Sequence, residues 1–381
     1  MNNSPLSKEF QLEDGLIYLN HAAVSPWPKR TVEAVKEFAK ANHFRGSLDY
    51  PAWLQVEDVL RSQLSELINA PSKNDIALLK NTSEALSVVA YGLSWKNGDN
   101  IVSSDQEFPS NRIVWESLSP LGVKLKEADL CSTEHPEDAL FALADENTRL
   151  ITISSVQFAT GIRLNLEKIG RFCKERRILF CVDAIQSIGA VRFDVQSIQA
   201  DFVMADGHKW MLGPEGLAVF YSTPEARKLL SLKQFGWHMT EQIGDFDRRD
   251  WTLAESGRRF ECGSPNMLGI HALNASLSLL LEAGMDKIEK EVLKRTEYIF
   301  EALTKSPDWK LITPVAPGSY AGIVTFSHTT LDNEKIFKIL TGRNIFCSLR
   351  GGGIRLSPHF YTPLEHLDRV INILTTEFQS P

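Results

Sequence analysis

The chain has 381 residues, 43% of them hydrophobic and 23% charged, which is enough apolar material for a sizeable core and excludes a chain disordered throughout. Lys and Arg number 41 against 48 Asp and Glu, a net charge of −7, and no basic run stands out. That balance argues against nucleic-acid binding as the main activity, so no nucleic-acid partner is expected. The first 19 residues carry no basic stretch followed by a long apolar one, so no secretory leader is expected. No apolar run approaches the roughly 18 residues of a membrane span, so no membrane partner is expected either. The five cysteines (Cys131, Cys173, Cys181, Cys262 and Cys347) are odd in number and form no Cys-x-x-Cys pair. A zinc ribbon or disulfide framework is therefore not expected, and a reducing, cytoplasmic setting is.

In chain order, apolar periodicity predicts helices over 29–44 and 52–68, a short strand over 75–79 and a helix over 83–95. Strands follow at 100–104, 123–128 and 149–156, the last containing the β-branched run Ile151-Thr152-Ile153. A helix over 166–177 leads into a buried strand at 178–182, and strands at 201–205 and 216–221 complete the series. Strands separated by helices imply crossover connections and a mostly parallel sheet. After residue 221 the composition shifts. Residues 242–259 are polar, rich in Asp and Arg, and read as an exposed loop. Helices at 266–281 and 286–305, a strand at 322–326, a helix at 333–341, a hairpin over 344–356 and a helix at 364–378 form an α+β pattern suited to a second, smaller domain.

Three segments carry chemistry. In 201–216, a strand runs into Gly207-His208-Lys209 and then a Gly-Pro-x-Gly loop. A lysine just past a strand end sits where α/β sheets place ligands, and partial desolvation lets it form a Schiff base; a lysine in a plain surface turn fits this segment equally well. Asp183 ends the strand at 178–182, where a carboxylate needs a cationic partner such as a protonated pyridine nitrogen, or simply caps a turn. Gln186 follows three residues later. Thr82 and Ser83 open a helix whose free N–H groups suit a phosphate, although Asn81 with Glu84 also makes an ordinary capping box.

Taken in order and spacing, Asp-x-x-Gln after one strand and Gly-His-Lys after the next, preceded by a Thr-Ser helix start, resemble the class V aminotransferases over nearly the whole chain. These are fold-type I, pyridoxal-phosphate (PLP) enzymes that include the cysteine desulfurases. The resemblance implies an α/β fold: a large domain built on a mostly parallel, seven-stranded type of sheet, and a smaller α+β C-terminal domain. The expected division is 1–20 as an N-terminal segment packing with the small domain, 21–260 as the PLP-binding domain and 261–381 as the small domain.

By the same resemblance, Lys209 is the Schiff-base lysine, His208 a phosphate-side ligand, and Thr82 and Ser83 the phosphate cup. Asp183 is the pyridinium partner, with Gln186 and Gln157 near the ring's phenolic oxygen. Phe108 stacks on the ring where many relatives have His, so proton shuttling at that position is lost. Ser264 matches a hydroxyl given to the cofactor of a neighbouring subunit, which implies a homodimer with a shared active site. Arg355 matches the arginine that grips an amino-acid substrate's carboxylate. Asp206 stands where some relatives use Ser on the phosphate; as a repelling charge it is left out of the cofactor set. His21 is given no role. The other histidines lack metal-ligand spacing, and no metal is expected.

The implied activity is a PLP enzyme acting on an amino acid, with transamination, epimerisation and elimination open. Cysteine desulfurase or C–S lyase chemistry is an alternative, and so is a non-catalytic PLP-binding protein, although carriage alone does not need Arg355. A nicotinamide dehydrogenase would need Gly-x-Gly-x-x-Gly after an early strand, and the only dense glycine run is 351–353. Desulfurases of this family place a nucleophilic cysteine on a mobile loop before the arginine. Here Arg350 and Arg355 are separated by a stretch short enough for a tight hairpin, and Cys347 lies in a strand-like run. It reads as a buried hydrophobe rather than a persulfide carrier, so little desulfurase turnover is expected.

Overall fold

The computed structural model describes residues 5–378; the first four residues of the N-terminal segment and the last three of the chain lie outside it. In chain order the elements are β1 (Ile17–Tyr18), α1 (Lys29–Arg45), α2 (Tyr50–Leu67), β2 (Ile76–Leu79), α3 (Thr82–Gly92), β3 (Asn100–Ser104), α4 (Ser110–Glu116), β4 (Lys124–Ala128), α5 (Pro136–Leu143), β5 (Thr148–Ser154), α6 (Leu166–Arg176), β6 (Leu179–Asp183), β7 (Phe202–Asp206), β8 (Ala218–Ser222) and α7 (Pro224–Lys228). Then come α8 (Met267–Ala283), α9 (Met285–Leu303), β9 (Trp309–Leu311), β10 (Val324–His328), α10 (Asn333–Gly342), β11 (Ile345–Phe346), β12 (Ser348–Arg350), β13 (Gly353–Leu356) and α11 (Leu364–Glu377). The predicted elements all reappear within a few residues; β1, α4, α5, α7 and β9, short pieces without a strong period, are additions.

Seven strands form the large sheet in the order β2-β8-β7-β6-β5-β3-β4. The pairs from β4 through β7 are parallel, as the crossovers demand, while β8 runs antiparallel to both β7 and β2. The reason is the length of the connection. Residues 207–217 join β7 to β8, and a parallel crossover needs roughly a dozen residues or more. Because β8 is reversed, β2 again points the same way as β7. The C-terminal ends of β2, β3, β5, β6 and β7 therefore share one edge of the sheet.

Alternation along each strand divides the large core in two. Ile151, Ile153 and Val203 face α2, α6 and α8, whereas Leu150, Phe202 and Met204 face the other way, towards α3 and α4. A second antiparallel sheet, β12-β13-β10-β9, packs with α9, α10 and α11 around Phe326, Ile354 and Leu367. That core also takes in Ile17 and Leu19, and β1 pairs in parallel with β11. The boundary expected at residue 261 falls before α8, whose Ile270, Leu273 and Leu277 belong to the large core. The two cores part within α9, between Val292 and Ile299. Among the described residues no single helix is long and apolar enough to cross a membrane.

Candidate active site

The shared edge gathers the chemistry. β6 ends on Asp183, β7 ends on Asp206 and runs into Gly207-His208-Lys209, and β2 leads into the start of α3. The turn after β7 is held by the main-chain bonds Gly207 N–H to Leu217 (2.9 Å) and Leu212 N–H to Lys209 (3.0 Å). Gly189, at φ +95°, lets another loop lie against this turn: a Cβ there would meet the Trp210 carbonyl oxygen at 2.3 Å.

The Lys209 amine is held among desolvating protein atoms. Burial pushes it down to about 8, Arg355 adds to that, and Asp183 and Asp206 oppose it. Asp183 is buried and moves the other way, up to about 7, through burial and then the repulsion of Glu107, against the pull of the Ile185 N–H on Oδ1 (3.0 Å). The Phe108 ring centroid lies 5.8 Å from Lys209 Nζ, and its own edge-to-face partner is Phe158 at 5.1 Å.

At the start of α3, Asn81 and Glu84 do make the cap. Asn81 Oδ1 accepts the Glu84 N–H (2.8 Å) and Glu84 Oε2 accepts the Lys80 N–H (2.6 Å). The cap leaves Thr82 free: its Oγ1 is buried without a partner, as is His208 Nδ1. Burial, then Lys209, pushes His208 down to about 4, so it is neutral. Ser83 is exposed and donates its hydroxyl to Ser110 (2.8 Å), which leaves only its main-chain N–H for a phosphate. Asp206, left out of the cofactor set as a repelling charge, does face this cup: the Thr82 N–H draws its carboxyl down against burial.

Two expectations about the ring's phenolic oxygen change. Gln186 accepts from Trp210 Nε1 (2.8 Å) and donates to the Ala22 carbonyl (3.0 Å), so one amide hydrogen at most remains. Gln157 donates to Glu107 (2.8 Å) and Ser104 (3.3 Å), and its Oε1 is buried and unpartnered. Because Glu107 holds the amide end, Oε1 can only accept, and it suits a protonated hydroxyl rather than an oxyanion. Ser264 is exposed on the loop before α8, and no hydrogen bond or ion pair ties it to the Lys209 cluster.

Arg355 is buried on β13, with Nη1 donating to the Phe158 carbonyl (2.6 Å) and Nη2 to Asn20 Oδ1 (3.3 Å). Its Nε has no partner, and burial, then Arg350, lowers its pKa to about 10. No acid pairs with it among the described residues, so it is a cation awaiting an anion. The hairpin before it is as tight as expected. Arg350 pairs with Gly353, and only Gly351 and Gly352, both at positive φ, make the turn. Cys347 is 3% exposed, and burial pushes its thiol up to about 12.

Sequence reasoning gave no role to Glu107. This buried carboxylate accepts from Ser104 Oγ (3.1 Å), Ser154 N–H (2.9 Å), Asn111 Nδ2 (2.7 Å) and Gln157, and so ties β3, β5 and α4 together behind Phe108. Asn20 was missed likewise. His21, also without a role, is fully buried, facing the Ser357 carbonyl at 2.8 Å and the Tyr361 hydroxyl at 2.7 Å, and burial pushes it down to about 4.

The residues fit PLP. Thr82, His208 and the α3 N–H groups would hold the phosphate, Asp183 the ring nitrogen, Phe108 the ring face and Lys209 the aldehyde carbon. Thr82, His208, Gln157 and Arg355 each keep a buried polar atom without a partner, as groups that a ligand completes do.

The family described as Aminotransferase class-V matches residues 17–362. A probable cysteine desulfurase of Pyrococcus abyssi is 31% identical over 96% of this chain and 95% of its own. A cysteine desulfurase of Pectobacterium carotovorum is 30% identical over 82% of this chain and 77% of its own. Among solved structures, the apo cysteine desulfurase of Thermococcus onnurineus superposes with a TM-score of 0.87 at 26% identity, covering 98% of this chain and 97% of that one. The cystine C–S lyase C-DES, in complex with cysteine persulfide, shares the fold with a TM-score of 0.88 at 23% identity, over 95% of this chain and 98% of that one.

Proposed function

The chain belongs to the class V aminotransferases, which are PLP-dependent enzymes, and on that ground we propose that it breaks a Cβ–S bond in a cysteine-type amino acid without storing the sulfur on a protein cysteine. One observation carries the reading: a desolvated lysine amine, a buried carboxyl and an unpaired buried arginine face one cleft, and no exposed thiol lies on the hairpin before the arginine. PLP, when bound, supplies a carbonyl carbon for the substrate amine and an electron sink at the ring nitrogen. Lys209 tethers it through Nζ. Arg355 binds the substrate carboxylate, oriented by Asn20 and the Phe158 carbonyl. Lys209 Nζ, near enough to neutral pH in its basicity, would be placed to take the α-proton. Asp183 would keep the ring nitrogen protonated, and the opposite displacements of Lys209 and Asp183 would set a base and an acid in one site. The pair left by the α-proton would then form a Cα–Cβ double bond as the Cβ–S bond breaks, and the sulfur would leave with the Cβ–S electron pair.

The relatives named cysteine desulfurase and the C–S lyase neighbour favour this over transamination or epimerisation, which begin with the same proton. The buried Cys347 and the two-residue turn favour release of sulfur to solution. The working form is a homodimer in which Ser264 reaches the partner's phosphate site. Beside it, where Cys262 Sγ meets Gln234 at 3.4 Å, the chain exposes Phe235, Trp237, Phe246 and Trp251, an apolar surface that a second copy would cover. One experiment on the holoprotein tests both parts. Sedimentation should give two chains per particle, and borohydride followed by peptide mapping should tag Lys209. A single-chain particle removes the shared site, and a tag elsewhere or none removes the lysine assignment.

A further inference from the structure

The cup at the start of α3 holds a group that a phosphate site would not be expected to select. Asp206, the last residue of β7, has its carboxyl drawn down by the main-chain N–H of Thr82, a first-turn donor that an incoming phosphate would also seek. Its Oδ1 is buried without a partner, and so are Thr82 Oγ1 and His208 Nδ1, the latter 3.8 Å from Asp206 Oδ2. Thr82 is only 4% exposed, so its hydroxyl has no solvent to turn to. The charged and titratable groups around Asp206 are His208 and Lys209 on its own turn, Asp183 on β6 and Glu215 on the loop beyond, while α3 brings main-chain N–H groups.

We propose that Asp206 is a member of the phosphate cup and meets the cofactor's phosphate as the protonated acid, so that loading the cofactor takes up a proton. The proposal rests on the reading that this site holds PLP. An ionised carboxylate would repel a phosphate, whereas a carboxylic acid donates its O–H to a phosphate oxygen. Burial already moves the carboxyl up to about 6 in the free site, with Glu215 pushing in the same direction. A phosphate nearby pushes it further the same way. The sign follows. Below that value the acid form is already present and affinity is independent of Asp206. Above it a proton must be taken up, and the affinity falls by up to about tenfold per pH unit. The part of cofactor retention that depends on Asp206 is thus greatest under mildly acid conditions.

Asp206→Asn keeps an acceptor for the Thr82 N–H and removes the titration. Asp206→Ser supplies a hydroxyl donor and guards against a packing loss peculiar to Asn. Apoprotein of the wild type and both variants is titrated with PLP between pH 5.5 and 8, read by cofactor absorbance, with proton uptake read by calorimetry in two buffers of different ionisation enthalpy. The titrations of the phosphate and of Lys209 are common to all three proteins and cancel in the ratio of dissociation constants. The ratio of wild type to variant should be level below pH 6 and climb above it, towards about a hundredfold at pH 8. Wild type should also take up more protons than either variant. A ratio that stays level, with Lys209 still tagged by borohydride, overturns this proposal alone and shows that the carboxylate swings clear of the phosphate. Failure of all three proteins to bind PLP overturns it together with the Lys209 reading.

Discussion

Two buried charge clusters lie in the large domain and are built on opposite terms. Around Arg61 on α2, Nη1 donates to Glu261 (2.7 Å) and the Ile76 carbonyl (2.9 Å), and Nη2 to Glu57 (2.5 Å) and Glu261 (2.7 Å). Glu261 also accepts the Leu78 N–H at 2.8 Å, so the network ties α2 to β2 and to the segment that carries Ser264. Glu57, His238 and Glu261 come close enough to suggest a metal cage, but the guanidinium already sits on both carboxylates. The Arg61 cluster leaves Glu57 Oε2 and His238 Nδ1 unpartnered, yet its charges are met by opposite charge; around Lys209, among the described residues, the acids and bases form no ion pair with Lys209 or Arg355, and Thr82, His208, Gln157 and Arg355 each keep an unpartnered atom. The first cluster spends its charges on holding elements together; the second keeps them available, and proteins tolerate that where a ligand will complete the set.

The comparison can be broken from either side. The largest effect is expected at Arg61. Arg61→Met leaves two buried carboxylates without their cation and should lower folding stability by about 3–5 kcal/mol, read as a shift in the denaturant midpoint. An unchanged midpoint would show the network to be idle. Asp183→Asn tests the other cluster. Turnover should fall on the order of a hundredfold, or about 2.7 kcal/mol of barrier, while the midpoint holds or rises, since removing a buried functional charge does not cost stability. Loss of stability without loss of rate would make Asp183 a structural residue like Glu261. The smallest effect is expected at Cys347→Ser, which should leave sulfur release from cysteine-type substrates nearly unchanged. Release that vanishes with the thiol would return the protein to a persulfide mechanism.

How much of this was legible in the sequence depended on whether the partner was near in the chain. Lys209, His208 and Asp183 could be read because each follows a strand end directly, and strand ends are where the sheet puts its ligands. The two-residue turn before Arg355 could be read from three consecutive glycines. The reversal of β8 was not read, although the short connection after β7 contained it. Glu107, Asn20 and the competing uses of Gln186 could not be read, because their partners come from β3, β5, β13 and the Trp210 turn, tens to hundreds of residues away. Asp206 was the sharper lesson. Charge alone argued for leaving it out of the cofactor set, and only the structure shows it facing the helix start.

The grip of Asn20 on Arg355 spans 335 positions of sequence, and β1 and β11 close a comparable gap. On the ribosome, then, the segment that carries Asn20 emerges long before the strand that carries Arg355. At about 5–20 residues per second the early strand waits roughly half a minute for its place in the sheet. Throughout that time Ile17 and Leu19 have no core to enter, and the nascent chain carries an unfinished edge that some passing factor must leave alone or shield. The Asn20–Arg355 contact thus forms only after the strand near residue 355 has been made, when the early segment and that strand meet.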